Sequence, residues 1–540
     1  MSSSLTQPFR SRDFRFLWSA VLVSNLGGLV QGVGAGWMMA TIGASDEMVA
    51  LVQAATTLPI MIFSLAAGAL ADSFDRRRIL IAAQGLMMGT SIVLAWLAFS
   101  GQLGPYTLLG LTFLIGCGTA LHNPSWQASI GDLVPRGDIP SAVTLNSMAF
   151  NLMRSVGPAI GGFLVTLTGA AGAFAFNAVS YLPIILTLLA WKRPRAPIGL
   201  PRESFGQAMG AGLSFVAMSP NLLTAIGRAF LFGLGAVAML ALLPLVARDL
   251  VSGTATTYGI LLGSFGIGAI GGAFLNTRLR EAFASETIVR GAFLGFGASA
   301  LIVANSSSTW ISCLGLLPAG ASWVLALSLF NVTVQLSAPR WVVGRALSIY
   351  QTATFGGMAL GSWLWGVAAH AYGPAMALSL AAAALAFGAV VGLRFPVPAL
   401  VSLDLDPLGQ FQEPSVRLDL RSRSGPIMVM VDYEIAQGDV QPFLRAMAER
   451  RRIRIRDGAR QWSLLRDLEH PEIWTETYHV PTWVEYVRHN MRRTKADAVI
   501  YERLLALHRG TERPRVHRMI ERQTVPILDD MPIKENPDVP

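Results

Sequence analysis

Long apolar runs separated by short polar clusters fill the first 394 residues. They cover about 16–42, 48–70, 79–99, 105–128, 143–168, 171–191, 220–246, 254–276, 287–304, 309–334, 345–369 and 373–394. Each is close to the roughly 20 residues that a helix needs to cross a bilayer. An all-α membrane bundle of twelve transmembrane helices is therefore expected. The first run is too long for the apolar core of a cleaved signal peptide and is expected to stay as a helix.

The polar clusters orient the bundle. Arg76, Arg77 and Arg78, then Arg136, Lys192, Arg193, Arg195, Arg202, Arg278, Arg280, Arg290, Arg340 and Arg345 fall on one side, and Arg248 alone on the other. Basic loops mark the cytoplasmic face, so both ends of the bundle are expected inside the cell. Composition agrees, since 52% hydrophobic and 14% charged residues lie outside the range of soluble domains. Before residue 395 there are 20 basic and 11 acidic residues, against 22 of each after it, so the net +9 belongs to the membrane part. No basic stripe interleaved with aromatics is present, which argues against a nucleic-acid partner. Cys117 and Cys313 fall inside apolar runs and read as small buried hydrophobes. No metal-ligand spacing occurs, and no cofactor is expected.

The two halves look like copies. A shift of 204 residues places Gly68 on Gly272, Arg76 on Arg280, Pro135 on Pro339, Arg136 on Arg340, Ala142 on Ala346, Gly157 on Gly361, Gly162 on Gly366 and Gly169 on Gly373, without a gap. The second copy has Asn276 where the first has Asp72.

The spacing Gly68-x-Leu70-Ala71-Asp72-x-x-Asp75-Arg76-Arg77 resembles the loop between the second and third helices of the major facilitator superfamily of secondary transporters. That resemblance implies two parallel six-helix halves, at 1–192 and 220–394, joined by a central cytoplasmic loop at 193–219. It places the substrate site between the halves, and makes Gly68, Asp72, Asp75, Arg76 and Arg77 a conformational-switch loop. Asp72 would meet the N-terminus of the helix beginning near Arg345. Gly157-Pro158-x-x-Gly161-Gly162 in a fifth helix resembles the signature of the superfamily's exporters, in the branch of the transmembrane secretion effectors. Export of a drug, siderophore or other metabolite by proton-coupled alternating access is what this implies, with the lipid bilayer and a small-molecule substrate as partners.

Few residues carry candidate chemistry inside the membrane. Arg154 lies about eleven residues into its helix, near the bilayer centre, where a charge costs at least ~2.5–3.5 kcal/mol and must face the bundle interior. It reads either as a contact for an anionic substrate or as a structural arginine holding carbonyls. Every Asp and Glu before residue 395 lies in a loop or at a helix end, so the acid relay of proton-coupled relatives has no counterpart. His122 is the titratable candidate for coupling, against the alternative of a satisfied structural histidine. Asn25, Gln31, Gln53, Asn146, Asn151, Tyr350 and Gln351 are the polar candidates for lining a cavity, with Trp37, Trp363 and Trp365 as stacking surfaces. Arg228, nearer a helix end, is expected to snorkel.

After 394 the pattern changes. Residues 395–425 are rich in Pro, Asp and Ser and read as a linker. From 426 to 523 the order strand, helix, strand, strand, helix, helix, strand is the ferredoxin-like pattern, a small cytoplasmic α+β domain. It resembles the dimeric α/β-barrel domains of antibiotic-biosynthesis monooxygenases, which makes it a candidate dimerisation module. Trp462, His479 and Asn490 are its candidate site residues, against a plain structural role for each. Residues 524–540 read as disordered. The alternative function is an enzyme or sensor whose tail acts on a small molecule while the membrane part anchors it.

Overall fold

The computed structural model describes residues 7–73, 75–135, 138–191, 205–339, 341–398, 408, 411–421 and 423–521. Within those helices some side chains lie outside the description, among them Gly68, Asp72, Asn151 and Arg154. The 524–540 segment lies outside it as well.

Among the described residues the first 394 positions are mostly helical: α1 (Arg12–Thr41), α2 (Asp46–Ser73), α3 (Arg76–Phe99), α4 (Pro105–Leu133), α5 (Ile139–Ser180), α6 (Leu182–Ala190), α7 (Phe205–Ala217), α8 (Pro220–Leu245), α9 (Ala255–Ala282), α10 (Ser285–Ala304), α11 (Thr309–Leu336), α12 (Val343–Tyr372) and α13 (Pro374–Arg394). Local chemistry starts these helices where the polar clusters predict. Ser11 caps α1 by accepting from the Phe14 N–H at 3.3 Å, and Asp75 caps α3 by accepting from the Arg77 N–H at 2.9 Å. Among the described residues nine segments are long and apolar enough to cross a membrane. Large apolar side chains such as Phe274, Phe387 and Leu393 remain 64–80% exposed on the outer surface. A soluble protein does not spread so much apolar area over its surface, whereas lipid tails cover it at no cost.

Gly169 breaks α5. It takes φ +70° between its two parts, and Gly373, its partner under the 204-residue shift, takes φ +81° between α12 and α13. Only glycine enters this left-handed region without penalty, so both halves turn at the same place by the same means.

The central segment expected as a loop contains α7, a thirteen-residue helix. By contacts, the chain forms two compact units, and 203–223 and 334–346 group with 401–540 in the second. The tail builds β1 (Ile427–Glu434), α14 (Val440–Arg456), β2 (Arg460–Arg466), β3 (Ile473–Val480), α15 (Trp483–Met491), α16 (Lys495–Leu507) and β4 (Arg515–Ile520). Its four strands form an antiparallel sheet in the order β2-β3-β1-β4. Along β1, Ile427, Val429, Val431 and Tyr433 alternate inward, pack with Phe443, Met447 and Tyr478, and bury one sheet face against α14. The end of the expected linker is packed too: Phe411, Val416 and Leu420 lie on this core, and Glu413 accepts from Trp483 Nε1 at 2.7 Å.

Candidate functional site

The loop after α2 ties one half together. Arg76 at the start of α3 pairs with Asp132 near the end of α4 at 3.2 Å. Arg77 donates from Nε to the Leu188 carbonyl and from a terminal nitrogen to the Leu189 carbonyl, both at 2.7 Å. A cation on the open carbonyls at the C-terminus of α6 satisfies groups that the helix itself leaves unpaired. Asp72 and Gly68 belong to α2, but their side chains, and with them the expected contact of Asp72 to the helix of Arg345, lie outside the described residues.

The fifth-helix glycines divide their work. A Cβ on Gly157 would sit 2.9 Å from Leu29 Cδ1, and one on Gly161 would sit 3.0 Å from the Val30 Cα, so these two seat α5 on α1. Gly162 faces the other half, where a Cβ would lie 2.7 Å from both the Ala255 carbonyl oxygen and the Gly259 Cα on α9. Pro158, between them, is buried, and its carbonyl lies along the same α9 seam. One turn on, the Thr166 and Thr256 hydroxyls meet at 2.6 Å. The shifted copies repeat the division. Gly361 abuts the Leu234 carbonyl on α8, while a Cβ on Gly366 would lie 2.8 Å from the Ala50 Cβ and 3.1 Å from the Glu47 Cα on α2. The halves thus meet along two matched seams, α5 with α9 and α12 with α2. The second seam continues to a 2.8 Å hydrogen bond between Ser64 and Thr352. At the Asp46 end of the bundle, Arg248 reaches the Ala40 carbonyl and pairs with Asp46 at 3.2 Å, while Trp37 stacks on Tyr258.

The polar candidates are distributed rather than gathered. His122 is buried on α4 and bonds through Nδ1 to Gln84 at 3.0 Å, and Gln84 accepts from Ser24 at 3.4 Å. Gln31 is buried in a second network, accepting from Ser91 at 3.0 Å and from Asn177, which also reaches Tyr181 at 3.1 Å. Both networks lie within the first half. Asn25 and Gln351 are half-buried, and Tyr350 donates to the Leu327 carbonyl at 3.3 Å. Trp365 donates to the Leu234 carbonyl at 2.7 Å as packing between α12 and α8, and Trp363 is exposed on the outer surface. Arg154 and Asn151 lie in α5 with side chains outside the described residues.

Arg228 does not snorkel. It is 2% exposed and pairs with Glu286 at 3.1 Å, donates to the Gly388 carbonyl, and lies 4.8 Å over the Phe293 ring. Glu286, in the first turn of α10, also accepts from the Val397 N–H at 2.7 Å. The pair joins α8, α10 and the end of α13. The sequence signal was present, since a cation in an apolar run requires a counter-charge, but its partner lies 58 positions away.

In the second unit α7 and the 334–346 segment carry aromatics against which the tail packs. Arg492 lies 4.1 Å over the Trp341 ring and Arg456 lies 5.2 Å over Phe215, which itself packs edge-on to Trp341. Arg452 donates to the Met218 carbonyl at 3.4 Å. The candidate trio of the tail is not brought together. Trp462 donates to Glu476 at 3.0 Å, Asn490 donates to the carbonyl of Tyr486 in its own helix, and His479 lies on β3 with a buried Nδ1 lacking a hydrogen-bond partner. Sequence reading missed Glu476 and His489, which form the polar centre of the domain.

Comparison with known proteins places this architecture. The chain is 23% identical to the multidrug efflux pump Tap of Mycobacterium bovis over 414 residues, 73% of this chain and 96% of that protein. It is 25% identical to macrolide efflux protein A of Enterococcus faecalis over 222 residues, 40% of this chain and 68% of that one. With the staphyloferrin A transporter of Staphylococcus aureus it shares 27% identity over 176 residues, 32% of this chain and 44% of that protein, so it spans less than half of that relative. Among solved structures, a nucleoside transporter, NupG, aligns at a TM-score of 0.55 and 12% identity, covering 71% of this chain and 99% of that one. A bacterial homologue of the lysosomal transporter Spinster aligns at 0.52 and 15% identity, over 72% and 95%. These show a shared fold. The family described as transmembrane secretion effector matches residues 2–524, through both halves of the bundle and the tail, and the chain belongs to that family of major facilitator transporters.

Proposed function

We propose that this protein is a secondary active exporter of a small molecule, working by alternating access between its two halves. The observation that carries the reading is the pair of matched glycine seams, Gly162 on α9 and Gly366 on α2. Contacts this close, made without interlocking side chains, allow two rigid halves to rock against each other. The efflux activity named for the Tap and macrolide relatives favours export over uptake. The reading includes twelve crossings, counting α4, the two parts of α5 and α12, with both termini and the tail cytoplasmic. The loop arginines support that orientation, and a reporter fused after Ser45 would then be active only outside the cell. Coupling to protons belongs to the same reading, with His122 as the titrating candidate and Arg154 as the contact for an anionic substrate.

The test is accumulation of a panel of siderophores, antibiotics and sugars in cells with and without the full-length gene. Lower accumulation of one chemical class in expressing cells is expected, and its loss with Arg154→Ala would assign the arginine. Equal accumulation across the panel would overturn the reading.

For the tail, the strand order β2-β3-β1-β4 supports the ferredoxin-like assignment, and dimerisation through it is part of the proposal. A second reading, in which the tail senses a small molecule, is favoured by its buried arginine cluster.

A further inference from the structure

Among the described residues the tail gathers more guanidinium groups than carboxylates in one cluster. Glu476 on β3 is fully buried and accepts from Arg450 Nε at 2.8 Å, Arg454 Nε at 3.2 Å, Trp462 Nε1 at 3.0 Å and the Tyr433 hydroxyl at 3.4 Å. One carboxylate thus serves two arginines and has no lone pair left for a third. Asp457 and Asp497 are committed to Arg456, at 2.9 and 2.8 Å, and Asp497 also accepts from the Thr494 hydroxyl at 2.7 Å. His489 supplies no negative charge. Arg454 can only donate, so the 2.9 Å contact makes His489 Nε2 an acceptor and leaves its proton on Nδ1, facing the Asp457 carbonyl at 3.3 Å. Burial and the Arg454 charge hold this imidazole neutral, well below its ordinary range.

Arg493 is left over. Its guanidinium lies 5.1 Å over the Tyr501 ring, which Arg450 shares from 5.6 Å, and among the described residues no carboxylate lies within ion-pair distance of it. Burial and repulsion from Arg454 and Arg450 push its pKa down, the mark of a cation held among cations. Arg450, Arg454, Arg493 and His489 line a cavity of about 20 Å³ together with Asp457 and Asp497, whose carboxylates are held by Arg456, and with Ile453 and Ile500 as apolar walls. That is room for a group the size of one or two water oxygens.

We propose that this cavity binds the carboxylate of a small organic anion, seated on Arg493 and flanked by Arg450 and Arg454. Planar guanidinium forks match a carboxylate better than a point charge would. The cavity accepts only the charged group, so the remainder of the molecule extends to solvent. Among the described residues five guanidiniums, those of Arg450, Arg454, Arg456, Arg492 and Arg493, face the carboxylates of Glu476, Asp457 and Asp497, and an added anion lowers the repulsion that Arg450 and Arg454 exert on Arg493. The site stands on the tail alone, whatever the membrane part transports.

The test uses the purified full-length protein in detergent, with citrate, acetate, inorganic phosphate and sodium chloride compared at matched ionic strength by isothermal titration. Saturable binding of citrate or acetate is expected, weakened at least tenfold by Arg493→Gln, with partial recovery in Arg493→Lys. Arg503→Gln, which alters an exposed arginine paired with Glu449, should leave binding unchanged and controls for loss of net charge. Hydrogen exchange at 450–457 and 489–500 separates a folded Arg493→Gln tail from a collapsed one, and protection there on adding citrate to the parent reports the site without any variant. No saturable binding beyond chloride overturns the proposal. So does equal affinity in parent and Arg493→Gln, and phosphate bound more tightly than either carboxylate overturns the ligand class.

Discussion

Replacing Gly162 by alanine tests the seam on which alternating access would rest. The added Cβ would lie 2.7 Å from the Ala255 carbonyl oxygen, 2.7 Å from the Gly259 Cα and 3.1 Å from the Gly259 nitrogen. All three are backbone atoms of α9, so no rotamer change relieves the clash and the helices must separate. Overpacking of this kind costs about 1–3 kcal/mol. If the seam forms in one end-state and parts in the other, the whole cost falls on the first. A differential of that size changes a two-state population by roughly 5- to 150-fold. Gly157→Ala is the control: its Cβ meets the Leu29 Cδ1, a side-chain end that can move, at 2.9 Å and the Leu29 Cβ at 3.1 Å, both within one half. Spin labels at Thr41 and Val251, beside the Arg248–Asp46 bridge, would read the separation of the two halves at that end. Gly162→Ala should shift the distance distribution towards the longer population and slow export, while Gly157→Ala leaves both near the parent. An unchanged distribution in Gly162→Ala, or an equal shift in Gly157→Ala, would refute the reasoning.

Three further outcomes are expected. Burial pushes the Glu476 carboxyl up, but Arg450 and Arg454 outweigh it and hold it at about 2. Its charge therefore stabilises the folded tail above pH 4.5, and that contribution, roughly 3 kcal/mol, is lost as the pH falls towards 2. Urea titrations between pH 7 and 3, with a fluorophore at exposed Leu468, should show the loss in the parent and its absence in Glu476→Gln. Arg228→Met strands the Glu286 charge and should cost about 3–5 kcal/mol, whereas Arg228→Met with Glu286→Leu should cost less; thermal unfolding in detergent compares them, and equal losses would count against a buried pair. Arg77→Ala removes two charge-assisted bonds to the end of α6, each worth about 1.5–3 kcal/mol, so proteolysis near Ala190 should accelerate, and Arg77→Lys should restore part of the protection.

Apolar run length, loop arginines and the 204-residue offset carried the membrane class, the order of the helices and the equivalence of Gly169 with Gly373, because these follow from local periodicity and backbone preference. The tail's strands and helices were legible for the same reason: alternation along β1 and the caps at Thr482 and Thr494 act within a few residues of chain. Pairing across the fold was not legible. Which glycines of the fifth helix face α1 and which faces α9, that Arg228 is buried against Glu286, and that Arg450 and Arg454 share Glu476 while Arg493 has no carboxylate within ion-pair distance among the described residues all depend on helix rotation and sheet register. Those are decided only when the whole chain packs, since a buried charge is compensated by whatever lies opposite it in space, and sequence distance carries no trace of that choice.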